Sequence, residues 1–235
     1  MCSIKQNLEK VIKQIDSATQ KCGKKLSDVQ LIAVSKTRPL NAIADAAAAG
    51  HRQFGENYVK EGVDKITYFR EQYLNLEWHF IGLIQSNKTR IVAENFDWVH
   101  SVRHSKFARR LSEQRPDYMP PLQLLIQVNT SGESSKSGIE FYDVKELADE
   151  IDQLPNLELR GLMCIPQPEN NHDSQLTAFA PLSQLFKEMK ASRARFDTLS
   201  MGMSGDIDAA IASGSTMVRV GTAIFGARNY ATHKY

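Results

Sequence analysis

The feature that most constrains the fold is a repeated alternation of short apolar runs with longer amphipathic segments. Eight runs have the length and composition of buried β-strands; they cover residues 31–37, 53–57, 78–82, 98–102, 122–128, 157–163, 198–201 and 217–221. The segments between them predict helices over residues 40–49, 58–73, 87–94, 105–115, 141–153, 174–193 and 206–212. Strands that alternate with helices form parallel sheets, so the pattern predicts an α/β protein.

Eight parallel strands can close into a (β/α)₈ barrel, which leaves no free edge, and 235 residues is close to the usual length of one such barrel. An open doubly wound sheet is the alternative, but no G-x-G-x-x-G turn follows the first strand. Residues 1–22 predict an additional amphipathic helix, because apolar side chains recur there every three or four positions. We therefore predict a single domain over residues 1–235, with the barrel over residues 31–226.

Charge and cysteine content exclude several classes of protein. Lys plus Arg numbers 29 and Asp plus Glu 27, a net charge of +2, which lacks the basic excess of a nucleic-acid-binding protein. The first sixteen residues alternate apolar and charged side chains, so they predict neither a signal peptide nor a membrane anchor. Cys2, Cys22 and Cys164 form no C-x-x-C motif, which favours a reduced, cytoplasmic location without membrane association.

Lys36 is the first candidate functional residue. It lies directly after the apolar run of the first predicted strand, and the carboxyl ends of barrel strands are where ligands bind. An isolated lysine at a strand end is more often simply solvated, with its stem along apolar surface. The functional interpretation therefore depends on which residues lie at the carboxyl ends of the other strands.

Two loops rich in glycine and hydroxyl residues come after the seventh and eighth strands, at residues 200–206 and 221–223. Such loops present backbone N–H groups to anions, and barrel phosphate sites are frequently built from these two loops. Either loop alone could be a plain turn. Together, at these strands, they predict a phosphate site.

Arg219 lies inside the eighth strand, two residues before the second of these loops. A buried guanidinium needs hydrogen-bond acceptors, which an internal carboxylate or a ligand could supply. His79 and His100 lie within predicted strands and are more typical of hydrogen-bonded core residues than of catalysts. The spacing of His, Cys, Asp and Glu predicts no metal site.

Pyridoxal 5′-phosphate suits this combination of an amine at the first strand, a phosphate site at the last two strands and an arginine between them. This cofactor requires an amine for a Schiff base, an anion site and a group facing its pyridine nitrogen. A barrel enzyme acting on phosphosugars would use the same loops but would form no Schiff base.

The segments 33–37, 54–57, 78–88, 200–204 and 218–226 resemble the pyridoxal phosphate homeostasis (YggS/PROSC) family, and the likeness spans nearly the whole chain. That family is similar to the barrel domain of alanine racemase, a fold-type III pyridoxal phosphate protein. The resemblance implies that Lys36 carries the cofactor as a Schiff base. It also implies cofactor-binding roles for seven further residues: Asn57, Met163, Ser200, Ser204, Arg219, Gly221 and Thr222.

In that resemblance Ser200, Ser204, Gly221 and Thr222 hold the phosphate, Arg219 faces the pyridine nitrogen, and Asn57 lies beside the ring. Met163 or His79 packs near the cofactor. Lys136, in the loop after the fifth strand, is implied as a second cofactor-handling amine.

The resemblance implies a carrier that maintains intracellular vitamin B6 homeostasis and hands the cofactor to apo-enzymes, without catalysis. An arginine opposite the pyridine nitrogen leaves that nitrogen unprotonated and the ring a poorer electron sink. The sequence ends nine residues after Gly226, so we expect no second domain like that of alanine racemase. We expect a monomer; the alternative function is a low-turnover pyridoxal phosphate-dependent racemase or lyase.

Overall fold

The computed structural model describes residues 3–72, 74–131 and 137–227. Its strands are β1 (Gln30–Val34), β2 (Gln53–Glu56), β3 (Glu77–Phe80), β4 (Trp98–Val102), β5 (Leu122–Gln127), β6 (Leu157–Met163), β7 (Thr198–Ser200) and β8 (Met217–Val220). Its α-helices are α1 (Ile4–Lys21), α2 (Leu40–Ala48), α3 (Val59–Glu71), α4 (Thr89–Asn95), α5 (Ser105–Gln114), α6 (Val144–Asp152), α7 (His172–Lys190), α8 (Ile207–Ala212) and α9 (Thr222–Phe225).

The eight strands form a closed parallel barrel in which each strand pairs with its neighbours in chain order. Closure is made by β1 and β8, whose register runs from Gln30 opposite Met217 to Ala33 opposite Val220. The predicted (β/α)₈ barrel is therefore confirmed, and the open doubly wound sheet is excluded. Closure also brings the carboxyl ends of the first and last strands side by side.

The core has two layers because successive strand side chains point to opposite faces. Inward-facing apolar residues fill the barrel as one cluster: Ile32, Trp98, Leu125, Met163 and Met217. Outward-facing residues pack against the surrounding helices in a second, larger cluster that includes Phe54, Phe80 and Leu124. The near-continuous apolar runs of the sequence reflect strands that are buried on both sides.

The predicted amino-terminal helix is present as α1. Ser3 caps it, since its hydroxyl accepts a hydrogen bond from the backbone N–H of Gln6 while the Gln6 side chain accepts one from the N–H of Ser3. Leu8, Val11 and Ile15 are buried in the outer core, and α1 packs along α8 and α9. The helix thus covers the outside of the barrel beside the last strands.

Some predicted boundaries differ from the structure. The seventh helix begins at His172 rather than at residue 174, because the Asn171 side chain caps it by accepting a hydrogen bond from the Ser174 N–H. The single-turn helix α9 was not predicted. No helix in the described parts of the chain has the length and apolar content needed to span a membrane.

Candidate functional site

Lys36 lies just beyond the end of β1 at the carboxyl-terminal mouth of the barrel. The hydrogen bonding between β1 and β2 continues one residue past the end of β1, because the N–H of Ser35 donates to the carbonyl oxygen of Gly55 at 3.0 Å. Ile32 belongs to the interior cluster, so the two-residue alternation puts Val34 and then Lys36 on the inner side. Lys36 is partly buried there.

A buried ionic cluster supports the backbone on both sides of Lys36. The Lys65 ammonium on α3 donates to the Glu56 carboxylate at 2.8 Å, to the Glu61 carboxylate at 2.6 Å and to the Ser35 carbonyl oxygen at 2.8 Å. The N–H of Thr37 also donates to Glu61, at 2.6 Å. Both neighbours of Lys36 are therefore fixed from outside the barrel wall.

Glu56 is fully buried in this cluster. Burial raises the pKa of the Glu56 carboxyl above its ordinary value, although the charge and hydrogen bond of Lys65 oppose the rise. Its Oε1 accepts a hydrogen bond from the Ser35 hydroxyl at 2.5 Å. The strand end before Lys36 is thus held by an ion pair with little access to water.

The loop after β8 touches the end of β1. A Cβ atom placed on Gly221 would lie 3.4 Å from both the Cβ and the carbonyl oxygen of Val34, two residues before Lys36. Thr222 and Ala223 are exposed, and as the first residues of α9 their N–H groups have no acceptor within the helix. These groups therefore face outward next to the strand that leads to Lys36.

The loop after β7 is shaped by Gly202. Gly202 has a φ of +100°, and a Cβ atom placed on it would lie only 2.6 Å from the Cβ of Ala210. Any other residue at this position would therefore require local rearrangement. The N–H of Arg219 donates to the Gly202 carbonyl oxygen at 2.9 Å, which ties this loop to β8. Ser204 lies half-buried in this loop.

Arg219 is buried beneath these loops, with 4% of its surface exposed. Its guanidinium donates to the Ser200 hydroxyl at 2.6 Å and to the Cys164 carbonyl oxygen at 2.8 Å. Burial lowers the pKa of this guanidinium, while Cys164 and Asp206 oppose the effect. Among the described residues no carboxylate lies within ion-pair distance of Arg219, so the internal carboxylate considered from the sequence is absent.

Ser200 lies within the seventh strand, as predicted, and below the loop that follows it. It is the last residue of β7, is fully buried, and its hydroxyl is engaged with Arg219 and, at 3.3 Å, with His100 Nδ1. The hydroxyl thus supports Arg219, and the contact of Ser200 with a phosphate stays a prediction. Of the predicted phosphate residues, Ser204, Gly221 and Thr222 are the ones that lie in the two loops.

Asn57 comes directly after β2, and Gly82 after β3 packs closely against it. A Cβ on Gly82 would stand 2.0 Å from the Asn57 carbonyl oxygen, so only glycine fits. The Oδ1 of Asn57 is buried and has no hydrogen-bond partner among the residues that the structure describes. Met163, in contrast, is an interior side chain with 1% exposure, packed with Ile32 and Met217.

Other sequence predictions have separate outcomes. Lys136 lies outside the described residues, so its role stays a prediction. His79 and His100 are fully buried and hydrogen-bonded, as core histidines should be. Within the described ranges no group of three His, Cys, Asp or Glu side chains could hold a metal ion.

The supporting roles of Glu56 and Lys65 were missed from the sequence. A lysine on an amphipathic helix is usually solvated, and α3 gave no reason to expect otherwise. The available signal was the four-residue spacing of Glu61 and Lys65, which places both side chains on one helix face.

Residues 6–229 match the family model "Alanine racemase, N-terminal domain". Across 98% of its length the chain is 61% identical to the pyridoxal phosphate homeostasis protein of Vibrio cholerae serotype O1, of which it covers 99%. The chain belongs to the pyridoxal phosphate homeostasis protein family. It is also 53% identical to the family member from Escherichia coli K12, again over 98% of this chain and 99% of that protein.

Solved structures agree with this membership of the pyridoxal phosphate homeostasis family. PipY of Synechococcus elongatus PCC7942, solved with pyridoxal phosphate bound, superposes with a TM-score of 0.82 at 34% identity, covering 95% of this chain and all of PipY. Alanine racemase of Corynebacterium glutamicum gives a TM-score of 0.64 at 18% identity over 98% of this chain and 62% of that enzyme. The second likeness concerns the barrel fold alone.

Proposed function

We propose that this protein binds pyridoxal 5′-phosphate at the carboxyl-terminal mouth of its barrel and serves vitamin B6 homeostasis as a carrier. The observation that carries the proposal is the β1–β8 register, which puts Gly221 against Val34 and so brings the phosphate-type loop beside the strand end that leads to Lys36. An amine and an anion site on adjacent strands suit one small ligand that has an aldehyde and a phosphate.

The residues present fit this cofactor. The Asn57 Oδ1 is a buried acceptor to which no described residue donates, a state that costs roughly 1–3 kcal/mol and that a ligand hydroxyl would relieve. Arg219 has guanidinium N–H groups beyond the two that bond Ser200 and Cys164. One of these could donate to a ring nitrogen.

When bound, the cofactor supplies an aldehyde that condenses with a primary amine. In our proposal Lys36 provides that amine, and the ionic cluster around Lys65 fixes its backbone. Ser204 and the N–H groups at Gly221 and Thr222 bind the phosphate. Asn57 and Met163 contact the ring side, Arg219 donates to the pyridine nitrogen, and Ser200 supports Arg219.

The carrier function, rather than catalysis, is favoured by the donor that faces the pyridine. An arginine keeps its proton, so the ring nitrogen stays unprotonated and stabilises negative charge on a bound amino acid poorly. Relatives at 53–61% identity are named as homeostasis proteins. The proposal has four further parts: transfer of the cofactor to apo-enzymes, a monomeric state, a cytoplasmic location and a single domain over residues 1–235.

The decisive experiment locates the cofactor amine. Purified protein is incubated with pyridoxal phosphate, reduced with borohydride and digested, and the modified peptide is identified by mass spectrometry. We expect the adduct on Lys36, and its loss together with the visible absorption band in Lys36→Ala. Lys106→Ala is the control, because Lys106 is an exposed lysine of α5 near the same mouth.

A stoichiometric adduct on another lysine in Lys36→Ala would refute the assignment. The racemase or lyase alternative is tested separately, by measuring exchange of the amino-acid α-proton in deuterated water. The carrier proposal expects a rate no faster than that of free pyridoxal phosphate.

A further inference from the structure

A continuous row of polar side chains crosses the barrel interior from one mouth to the other. Its five members, which we call the histidine relay, are Arg219, Ser200, His100, His79 and Glu77. Arg219 Nη1 lies 2.6 Å from Ser200 Oγ, which lies 3.3 Å from His100 Nδ1. His100 Nε2 lies 3.0 Å from His79 Nδ1, and His79 Nε2 lies 2.8 Å from Glu77 Oε1.

Counting donors fixes the position of each proton in the relay. His79 Nε2 must bear a hydrogen, because its partner is a carboxylate oxygen. If His79 is neutral, its Nδ1 accepts from His100 Nε2–H, and His100 Nδ1 then accepts from the Ser200 hydroxyl. Ser200 in turn accepts from Arg219. Every group is then satisfied, and every donor points from Arg219 toward Glu77.

If the hydrogen bonds between His79, His100 and Ser200 ran in the opposite direction, one hydrogen would have no acceptor. This direction would place a proton on both nitrogens of His79 and make His100 donate to Ser200. The Ser200 oxygen would then receive two donors, from His100 and from Arg219, and its own hydrogen would have no acceptor in the relay. Burial also lowers the pKa of His100 well below its ordinary value, which agrees with a neutral ring.

Packing holds the two imidazoles in place. The His79 ring stacks on Trp98, with ring centroids 5.4 Å apart and an interplanar angle of 18°. His79 and His100 meet edge to face at 84°. The guanidinium carbon of Arg160 also lies over Trp98, 5.2 Å from the ring centroid. The rings therefore have little freedom to reorient.

The far end of the relay meets solvent. Glu77 begins β3 and lines a cavity of about 650 Å³ at the amino-terminal mouth, with 38% of its side chain exposed. Burial alone would raise the pKa of its carboxyl, but hydrogen bonds from His79 and Gln53 and the charge of Arg160 hold that pKa below its ordinary value. Glu77 thus remains a carboxylate without being fully desolvated.

We propose that Glu77, His79 and His100 are positioning residues that act through Ser200 to orient the Arg219 guanidinium toward the cofactor. The inference rests on the proposed function for its ligand. The groups that accept directly from Arg219 are neutral. The hydrogen bonds of the relay connect it, through Ser200 and the two histidines, to the negative charge of Glu77. Hydrogen bonds in one direction polarise each other, which lets a carboxylate at one mouth stabilise a cation near the other.

The first test uses ligand-free protein and nitrogen-15 NMR of the histidine rings. The relay requires His79 and His100 both to carry their proton on Nε2, assigned by comparison with His79→Gln and His100→Gln. A proton on Nδ1 of either ring would overturn the proposal. This measurement needs no cofactor, so it decides the relay even if pyridoxal phosphate does not bind.

The second test measures pyridoxal phosphate affinity and the absorption maximum of the bound cofactor. Glu77→Gln keeps an acceptor oxygen but removes the charge, and Glu77→Ala removes both. We expect affinity roughly tenfold weaker and a shifted maximum. The change should be larger in Glu77→Ala, because that variant also loses the hydrogen bond from His79. Glu158→Gln is the control, since Glu158 is a partly buried glutamate near the start of β6 that pairs with Arg195 instead.

Equal spectra and affinities in the two Glu77 variants and the Glu158 control would overturn the positioning role. Failure of the wild-type protein to bind pyridoxal phosphate would instead reject the proposed function. The two failures are therefore distinguishable.

Discussion

The Lys65 ammonium donates a 2.8 Å hydrogen bond to the carbonyl oxygen of Ser35, so a helix outside the barrel holds the residue that precedes Lys36. The same ammonium bonds Glu56 and Glu61. The reactive amine of the proposed site is thus positioned by a second lysine that is itself 4% exposed.

Replacement of Lys65 should destabilise the fold. Lys65→Met leaves the buried Glu56 without its cation, and loss of one partner of a buried pair typically costs about 3–5 kcal/mol. We expect the free energy of unfolding in urea to fall by an amount near the lower limit of this range. The variant should also release pyridoxal phosphate faster. Lys60→Met, at an exposed position of the same helix, should change stability by less than about 0.5 kcal/mol.

The effect of Lys65→Met should also depend on pH. The pKa of Glu56 is raised by burial in the folded protein, so its contribution to stability is present below the ordinary glutamate pKa and is lost as pH rises through the raised value. Removal of Lys65 raises that pKa further. The deficit of the variant should therefore grow from acidic to neutral pH, and a pH-independent deficit would contradict the pairing of Lys65 with Glu56.

Gly202 and Gly205 offer a matched pair of substitutions in one loop. Gly202→Ala places a methyl group 2.6 Å from Ala210 at a φ of +100°, whereas a Cβ on Gly205 meets nothing within 4 Å. We expect Gly202→Ala to lose roughly 1–3 kcal/mol of stability and to bind pyridoxal phosphate more weakly. Equal behaviour of the two variants in urea unfolding and cofactor titration would contradict the shape inferred for this loop.

Asn57→Ala separates cofactor binding from stability. Among the described residues the buried Oδ1 has no hydrogen-bond partner, so its removal should not destabilise the ligand-free protein and should tend to stabilise it. Affinity for pyridoxal phosphate should fall about tenfold, equivalent to about 1.4 kcal/mol. Asn95→Ala, at the end of α4, is the control, and an unchanged affinity in Asn57→Ala would remove Asn57 from the site.

The cysteines should differ in reactivity. Burial raises the pKa of the Cys164 thiol to about 12, while Cys22 is exposed. Because the thiolate is the reactive form, iodoacetamide at pH 8 should alkylate Cys22 in the folded protein and reach Cys164 only after denaturation. Peptide mapping by mass spectrometry measures this, and rapid labelling of Cys164 in the folded protein would show that the core opens locally.

The strands were predictable because each apolar run is buried on both faces, and the order of parallel strands results from short helical connections. The positions of Lys36 beyond β1 and of Arg219 inside β8 could be predicted, since each is a cation at an otherwise apolar strand or strand end; their roles stay predictions. The two glycine-rich loops were predictable for the same reason, as breaks in a regular pattern.

The histidine relay was not predictable. The sequence indicates that His79 and His100 lie in neighbouring strands, but which side chains meet across the barrel depends on the stagger of all eight strands. Ser200 illustrates the same limit, because its place at the end of β7 points it inward, whereas Ser204 lies in the loop beyond. Lys65 depends on how α3 packs, which local periodicity does not determine.

The pairing of β1 with β8 has a consequence for synthesis of the protein. A growing chain on the ribosome contains Lys36 well before Gly221 and Thr222 are added, because most of the barrel lies between them in the sequence. On the proposed function, nascent chains cannot retain the vitamin until the final strand has emerged and joined the first. Cofactor capture would then report that the barrel has closed, and the free pool would be spared from chains whose barrel is still open.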